Sequence, residues 1–529
     1  MEKRLNIFFI IILCLAAFLV LSQEKQREQS GVNTTVNAEI SPNRLVVTQE
    51  YAVKNLDPAL ASDTGSLRVT ANIYEGLVRF KPGTIQVEPC LARSWEVSED
   101  AKVWTFNLRR NVLFHDGTPL DARWVESSIK RQTASKNNQT SYADFVYAPV
   151  QKIEVVDNYV VRFHLKYPFA PFLNNLAVPM AAPVVGPVAH DSADGNPVPP
   201  PGTGPYIPAG EIEGGILLRA NPHYWASTPG VQEIAFLTVT DSLLQSEMLL
   251  HGQSDIALDL TFNDATRVRF QGYPVFRTTG LDICYLGFYT ERAPFNSVVV
   301  RKAVARALDL NEVYKHLGLQ QAQPATGHLP PGVMGSESNE RPGYDQTTAA
   351  QLLNDAGHQK GLSFTLITYS DSRPYTPGGG KELAEALAKS AARAGITINV
   401  RAYPWNQFKE ALQRREGDAF LYGWISDNGD PDNFLYTLLA PDQIEHGQNI
   451  THYRSTQLET ILISGRNTTD MEIRRQLYAQ AQEILNQDTP WVVLGHSLYH
   501  AATAPHINGF VLSPTGWHTL GDVKKNVAQ

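Results

Sequence analysis

Cysteine is scarce in this chain: only 3 occur among 529 residues, and no two stand at the short spacings of zinc or redox sites. Cysteine-based sites of both kinds are therefore excluded. Cys14 lies in an apolar segment near the N-terminus, whereas Cys90 and Cys284 lie far apart in the sequence. In an oxidising compartment Cys90 and Cys284 could form one disulfide, although two buried thiols are the simpler interpretation.

Motifs of familiar catalytic sites are also missing. The chain has no Gly-x-Ser-x-Gly segment and no His-Glu-x-x-His segment. Two motifs of the penicillin-recognising enzymes have matches, Ser127-Ser128-Ile129-Lys130 and Ser426-Asp427-Asn428, but the third motif, Lys-Thr-Gly, is absent. The two matches are also far apart, so we interpret both as chance. A secreted peptide hydrolase or transpeptidase remains the alternative from another functional class.

Sites for phosphate and metal have little support. Gly378-Gly379-Gly380-Lys381 resembles the end of a phosphate-binding loop, but Glu382 stands where that motif needs Ser or Thr. Glycines at the start of a helix explain this run better. His496 and His500 are four residues apart in a strand-like run, so they share a face that a metal or haem could use. Surface histidines are the more common outcome.

An excess of basic residues is absent as well. The chain has 45 Lys and Arg against 53 Asp and Glu, for a net charge of -8, and it shows no basic stripe. This balance gives no support to nucleic-acid binding. The composition, with 43% hydrophobic and 19% charged residues, is that of a soluble globular protein. A chain of 529 residues is too long for one core, so we expect two or three compact lobes.

The N-terminus carries an export signal. Lys3-Arg4 precedes an apolar run from Ile7 to Leu21, which is the order of a signal sequence. We interpret residues 1–22 as a signal peptide cleaved after Ser22 or as a retained membrane anchor, although the run is slightly short for a span. Residues 23–43 are polar and typical of a disordered tether. We therefore expect the body of the chain outside the cytoplasm, either free or anchored to the cytoplasmic membrane.

Local patterns predict mixed α and β structure from Arg44 onward. Trp104, Phe106 and Leu108 alternate with polar residues, which predicts a strand with one buried face. Asp121 is placed to cap the amphipathic helix that follows.

The second half of the chain predicts a βαβ unit. A helix from Glu382 to Ala394 lies between two strand-like runs and ends at Gly395. This order implies a mixed sheet with helices outside it. We place the apolar run from Leu281 to Phe288 at a hinge.

The stretch from Gly423 to Phe434 concentrates unusual chemistry. It follows a strand-like apolar run and contains three acids, two Gly and a Pro, so the chain must turn there. Asp432 or Asn433 can cap the next helix, which leaves Asp427, close to Trp424, without an evident structural role. On the local pattern alone, capping and turning account for all three acids.

Arg373 is the second candidate binding residue. It stands between a strand-like segment and the Pro374 turn, where a rigid guanidinium could pair with a carboxylate through two hydrogen bonds. A surface salt bridge is the alternative.

These segments together resemble the peptide and nickel substrate-binding proteins of ABC transporters (family 5), and within them the dipeptide-binding branch. The resemblance runs in the same order from Arg44 to the C-terminus. Its motifs are Trp424 to Phe434, Pro89 to Trp124, Gly202-Thr203-Gly204-Pro205-Tyr206, Asn221 to Trp225 and Arg373-Pro374-Tyr375.

The resemblance implies an α/β, periplasmic-binding-protein-like fold of two lobes (type II, cluster C) with an extra subdomain in the first lobe. It implies a discontinuous lobe 1 of residues 44–73, 197–288 and 499–529, an extra subdomain of residues 74–196, and a lobe 2 of residues 289–498.

The resemblance also implies a function. Asp427 would hold the α-ammonium group of a peptide and Arg373 its terminal carboxylate, while Trp424, Trp405 and Tyr375 would line the pocket, with core packing as the alternative for Trp405. The protein would capture di- or oligopeptides between its lobes and deliver them to a membrane permease and its ATPases. It would do so as a monomer, without catalysis, cofactor or metal. Nickel, haem or another small solute is the alternative ligand, because the broad family includes such carriers.

Overall fold

The computed structural model describes residues 43–134, 142–180, 183–187, 198–318, 320–337 and 341–526. The predicted signal or anchor and the predicted tether lie outside this part of the chain, apart from residue 43. Within it, no helix is long and apolar enough to cross a membrane.

The described strands are β1 (Arg44–Gln49), β2 (Val78–Phe80), β3 (Val87–Pro89), β4 (Ala92–Val97), β5 (Val103–Leu108), β6 (Val150–Asp157), β7 (Val160–Leu165), β8 (Tyr206–Ile212), β9 (Gly215–Ala220), β10 (Glu233–Thr238), β11 (Ile256–Ala257), β12 (Val275–Thr279), β13 (Asp282–Phe288), β14 (Ala322–Pro324), β15 (Leu362–Tyr369), β16 (Ile396–Tyr403), β17 (Ala419–Ile425), β18 (Trp491–Thr503), β19 (Ile507–Asn508) and β20 (Lys524–Lys525).

The described helices are α1 (Thr64–Thr70), α2 (Ala122–Thr133), α3 (Tyr142–Tyr147), α4 (Phe172–Asn175), α5 (Ser242–Leu250), α6 (Phe262–Phe270), α7 (Val298–Arg306), α8 (Leu310–His316), α9 (Gln346–Asp355), α10 (Gly380–Ala392), α11 (Trp405–Gln413), α12 (Pro431–Leu439), α13 (Thr456–Asn467) and α14 (Met471–Asp488).

One large mixed sheet runs through the molecule in the order β16-β15-β17-β13-β18-β11-β1-β10-β9-β8, with β12 and β14 also pairing with β18. β15 is parallel to both β16 and β17, and α10 connects β15 to β16. The predicted mixed α/β class and the predicted βαβ unit are therefore confirmed.

The long strand β18 joins two parts of this sheet. Its N-terminal half pairs with β13 and its C-terminal half with β12 and β11. Between the halves, the amide of Gly280 donates to the carbonyl of Ser497 (2.9 Å). The chain therefore crosses from one part of the sheet to the other at two adjacent places, near Gly280 and near Ser497.

The buried apolar residues form three cores. The first core combines β1, the strands β8 to β12 and the C-terminal half of β18. The second core extends from Leu281 to Leu494. The third core, from Leu77 to Val184, covers the separate sheet β4-β5-β7-β6. β13 packs in the second core, although the sequence interpretation placed it in lobe 1; the remaining predicted boundaries stay predictions.

Of the two helix caps predicted from the sequence, one is confirmed and one is wrong. Asp121 caps α2, as predicted, by accepting a hydrogen bond from the amide of Arg123. The prediction that Asp432 or Asn433 caps the helix after the acidic stretch is wrong, because Asp430 caps α12. Pro431 has no N–H to satisfy and suits the first helical position, so the helix starts earlier than the apolar run suggests.

Candidate functional site

Three parallel strands end together at one edge of the sheet. β15 and β16 end in register, with Tyr369 opposite Tyr403, and β17 runs beside them in the same direction. Arg373 follows β15, Trp405 opens α11 directly after β16, and Asp427 follows β17. The carboxyl ends of parallel strands are where open α/β sheets bind their ligands.

A stack of three side chains dominates this edge. The guanidinium carbon of Arg373 lies 3.6 Å from the ring centroid of Trp405. The Trp405 ring also stacks with that of Tyr422, with ring centroids 6.0 Å apart and planes 14° apart. Such cation–π stacking orients a guanidinium plane. Trp405 remains half-buried, so it packs against the core and also presents a face to Arg373.

The charge of Arg373 is weakly compensated within the described chain. Its carboxylate neighbour is Asp371, 3.9 Å away, and the two side chains are 27% and 52% exposed. The buried Nε of Arg373 has no hydrogen-bond partner among the described residues. An exposed ion pair of this kind contributes little. Stacking on Trp405 therefore orients the guanidinium. The surface salt bridge considered as the alternative is the weak pair with Asp371, and it leaves Arg373 able to bind another carboxylate.

Tyr375 forms a buried wall beside this stack. It is 7% exposed and makes edge contacts with Tyr369 and Tyr422. Burial raises the pKa of its phenol above the usual value. Its ring lies so close to β17 that a Cβ at Gly423 would come within 2.2 Å of it. Glycine at position 423 is thus required for the approach of Tyr375.

Trp424 lies on β17, two residues after Tyr422. It is half-buried, stands opposite Ile283 of β13, and donates from Nε1 to Oδ1 of Asn433 (2.9 Å). This hydrogen bond ties the end of β17 to the first turn of α12.

The loop that carries Asp427 is held by its own polar groups. The amide of Ser426 donates to the carbonyl of Leu281 (2.8 Å), and the Ser426 hydroxyl accepts from the amide of Gly429 (3.0 Å). Oδ1 of Asn428 accepts from the amide of Asp430 (2.9 Å). Ser426 and Asn428 are each 3% exposed, and Asp427 between them is half-buried. Asp427 is therefore held on a turn with defined geometry.

A buried ion pair anchors the same loop. Arg474 of α14 donates from Nη1 and Nη2 to the two carboxylate oxygens of Asp430, at 2.9 and 2.8 Å. The side chains are 3% and 1% exposed. No local sequence pattern predicts this pair, because its members lie in different elements.

Asn428 also connects this loop to the third core. Its side-chain amide donates to Oδ1 of Asn175 (2.6 Å), and the side-chain amide of Asn174 donates to its carbonyl (3.0 Å). Ile85 packs against Gly429, where an added Cβ would lie 2.9 Å away. The candidate loop therefore lies where the second and third cores meet.

Comparison with known proteins now identifies the family. Residues 86–446 match the family described as bacterial extracellular solute-binding proteins, family 5 Middle. The chain belongs to this family. The resemblance noted in the sequence is thereby confirmed.

Relatives of this solute-binding protein are similar over nearly their whole length. Di/tripeptide-binding protein 2 of Pseudomonas aeruginosa is 29% identical over 91% of this chain and 95% of its own. Heme-binding protein A of Haemophilus influenzae is 29% identical over 95% of this chain and 96% of its own. The structure of HbpA2 from Haemophilus parasuis, 28% identical, covers 92% of this chain and 100% of its own with a TM-score of 0.84. The predicted two-lobed binding-protein fold is confirmed.

Asp282 is a residue of this solute-binding protein that the sequence interpretation missed. It opens β13 opposite Ile425, is 0% exposed, and accepts the amide of Ser497 at Oδ1 (2.9 Å). Its Oδ2 has no hydrogen-bond partner in the described chain. Burial raises the pKa of this carboxyl to about 7. A lone acid in the apolar run from Leu281 to Phe288 was the available signal.

The loops of Arg373 and Asp427 both contact residues adjoining Asp282. Ser497 donates from its hydroxyl to the carbonyl of Pro374 (2.7 Å), and Leu281 accepts from Ser426. Asp282 thus lies next to residues that contact both candidate ligand loops, at the place where the chain crosses between cores.

Asp282→Asn is expected to stabilise the protein above pH 7. The folded state binds the Asp282 proton more tightly than the unfolded state, so wild-type stability falls as pH rises from about 4 to about 7. The variant lacks this loss and gains about 1–3 kcal/mol at pH 8, since a shift of three pKa units corresponds to about 4 kcal/mol and the buried amide recovers only part of it. Urea denaturation between pH 4 and pH 8 measures the difference. The exposed Asp371→Asn is the control; equal pH profiles for wild type and Asp282→Asn would contradict the assignment.

Other candidates from the sequence have structural explanations. His496 and His500 are 2% and 5% exposed, so the interpretation as surface histidines is wrong: β18 is an inner strand of the sheet. His496 donates from Nδ1 to the carbonyl of Asp282 (2.7 Å). Within the described residues no cluster of three His, Cys, Asp or Glu could hold a metal. Cys90 and Cys284 are buried free thiols, which confirms the simpler interpretation.

A separate cavity of about 140 Å³ adjoins the first and third cores. Glu75 lies in its wall and accepts hydrogen bonds from Thr203, Tyr224 and Trp225, each at 2.8 Å. None of the five predicted ligand residues lines this cavity.

Proposed function

We propose that this family 5 protein captures di- or oligopeptides through their charged ends and delivers them to an ABC-type permease. The observation that carries the proposal is the pair of charged residues at one sheet edge: Arg373, stacked on Trp405 and available to a carboxylate, and Asp427, on the turn after β17. A free peptide carries a terminal carboxylate that can pair with Arg373 and an α-ammonium group that can pair with Asp427. Di/tripeptide-binding protein 2 of Pseudomonas aeruginosa supports a peptide of this size.

Transport requires the ligand to change the shape of its carrier. The two crossings near Gly280 and Ser497 contact the loops of Arg373 and Asp427 through hydrogen bonds. A ligand that contacts both lobes would favour a closed arrangement about these crossings. The permease would then recognise the closed monomer outside the cytoplasm, in the periplasm or anchored at the cytoplasmic membrane, and its ATPases would drive uptake of the ligand.

Haem is the second candidate ligand, because Heme-binding protein A of Haemophilus influenzae is as similar to this chain as the peptide-binding relative. The two candidates differ in what they require. A peptide needs both charges of the site, whereas haem has no ammonium group for Asp427. The stacked guanidinium of Arg373 suits either ligand, so Asp427 distinguishes them.

Calorimetry with a dipeptide, a tripeptide and haem tests the proposal. We expect the two peptides to bind with one-to-one stoichiometry and to be recovered intact after overnight incubation, since a carrier returns its ligand unchanged. Mass spectrometry of the recovered ligand checks this point. Binding of haem alone would reject the peptide assignment, and cleavage products would favour the hydrolase alternative.

A further inference from the structure

A pocket of about 270 Å³ lies in the second core, away from the candidate peptide site. It is formed by α7, α9, the end of α14 and the start of β18. Trp491 in its wall pairs with Gly287, near the end of β13 opposite Asp282. The peptide-site residues lie at the Asp282 end, where β13 pairs with Ile425 of β17. The pocket is therefore at the opposite edge of the sheet.

Three cations line this pocket, and one of them, Arg306, is close enough to Asp345 to help lower the pKa of that carboxyl. They are Lys302, Arg306 and Arg341, and the described lining contains no Asp or Glu. The two arginine side chains donate hydrogen bonds to backbone carbonyls, from Arg306 Nη1 to Gly343 (3.1 Å) and from Arg341 Nε to Ala325 (3.4 Å). Positive charge thus converges on one pocket in a protein whose net charge is -8.

Helix ends account for only part of this convergence. Arg306 lies in the last turn of α7, where cations are favoured by the helix dipole, whereas Lys302 lies in the middle of this helix. Arg341 belongs to no helix, and burial lowers the pKa of its guanidinium to about 10. Arg341 is half-buried, so its charge is partly desolvated, and an anion in the pocket would relieve that cost.

The rest of the pocket is neutral and largely apolar. Ala305, Leu352 and Val492 contribute aliphatic surface. His328 accepts from Trp491 Nε1 at Nδ1 (3.0 Å), so its Nε2 carries the proton that it donates to Asn486 (3.0 Å). Burial lowers the pKa of His328 to about 4, which keeps the ring uncharged at neutral pH. The His328 and Trp491 rings stack with planes 20° apart.

From this combination we infer that the pocket is a second ligand site, for a small monocarboxylate with an apolar body. The carboxylate meets Lys302, Arg306 and Arg341, and the apolar body packs on the aliphatic and aromatic wall. Pockets for small molecules commonly combine an apolar lining with a few placed charges, and this one is slightly smaller than their usual range, which suits a small ligand. The site is independent of the peptide site and of the proposed function.

Titration of the full-length protein with benzoate, and with its neutral analogue benzamide, tests this inference. Ligand-observed NMR should show benzoate binding at least tenfold more tightly than benzamide. Lys302→Met should weaken benzoate at least fivefold, and Ala305→Leu should do the same by filling the pocket. Lys315→Met, which removes an exposed lysine from α8, is the matched control and should leave the affinity unchanged.

Two further variants decide where the anion binds. Arg373→Ala should leave benzoate affinity unchanged; a fivefold loss would place benzoate in the peptide site and overturn the inference. Glu340, which lies outside the described residues, is the carboxylate adjacent to Arg341 in sequence. If Glu340→Gln binds benzoate at least tenfold more tightly than the wild type, the chain supplies its own anion and the inference fails. Equal binding of benzoate and benzamide would also overturn it.

Discussion

Replacing Asp427 by Asn, or Arg373 by Ala, is expected to weaken the binding of a free dipeptide by about 2–5 kcal/mol, because each change leaves a charge of the ligand unpaired in the closed site. Modified ligands should reproduce each loss separately. N-acetylation removes the ammonium group, so it should greatly weaken binding of the ligand to the wild type and weaken its binding to Asp427→Asn only slightly. C-amidation neutralises the terminal carboxylate, so it should greatly weaken binding of the ligand to the wild type and weaken its binding to Arg373→Ala only slightly. Calorimetry on three proteins and three ligands gives the full set of values.

This crossed pattern distinguishes contact from damage. A variant whose loop was merely destabilised would bind all three ligands more weakly by the same factor. A direct contact that the mutation has already removed cannot be lost again when the ligand is modified. Arg414→Ala removes an arginine that is 58% exposed at the end of α11 and should leave peptide affinity unchanged. If acetylation and amidation cost the variants as much as the wild type, both assignments are wrong, and haem or another small solute becomes the better candidate.

Arg474→Ala is expected to destabilise the second core by about 3–5 kcal/mol, because it leaves the Asp430 carboxylate buried without its partner. Asp430 also caps α12, so the loss should reach the loop that carries Asp427. Urea denaturation measures the stability, and hydrogen exchange of the α12 amides reports whether the loss is local to this helix.

Two variants serve as references for Arg474→Ala. Arg475→Ala removes the next arginine of α14, which is 46% exposed and pairs with Glu337 and Glu472, and should cost less than about 1 kcal/mol. The double variant Asp430→Asn/Arg474→Met should cost less than Arg474→Ala, since it leaves no buried charge. Equal losses for Arg474→Ala and Arg475→Ala would show that burial of the pair does not matter.

Much of the fold was predictable because local patterns carry it. The alternation of Trp104, Phe106 and Leu108 specifies a strand with one buried face, and these residues are 2%, 0% and 2% exposed. Asp121 caps its helix because the cap is a contact between near neighbours in sequence. The order of motifs along the chain was also sufficient to recognise the family.

The candidate site was predictable only in part. The sequence named Arg373, Trp405 and Asp427, and the structure places all three after parallel strands that end at one edge. Tyr422, which completes the stack with Arg373 and Trp405, was missed because a residue within an apolar run is interpreted as core. Tyr422 is only half-buried because it stands near the C-terminal end of β17, an inner strand of the sheet.

The sequence by itself determined the strand and helix types, the Asp121 cap and the family, because these depend on residues a few positions apart. Tertiary structure alone decided the burial of Asp282, the pairing of Asp430 with Arg474 and the burial of His496. Each of these depends on which strand or helix lies next to it. His496 is an inner residue of the sheet only because β13 and β14 pair with this part of β18. Asp430 acquires its charged partner only because α14 packs against the loop that follows β17.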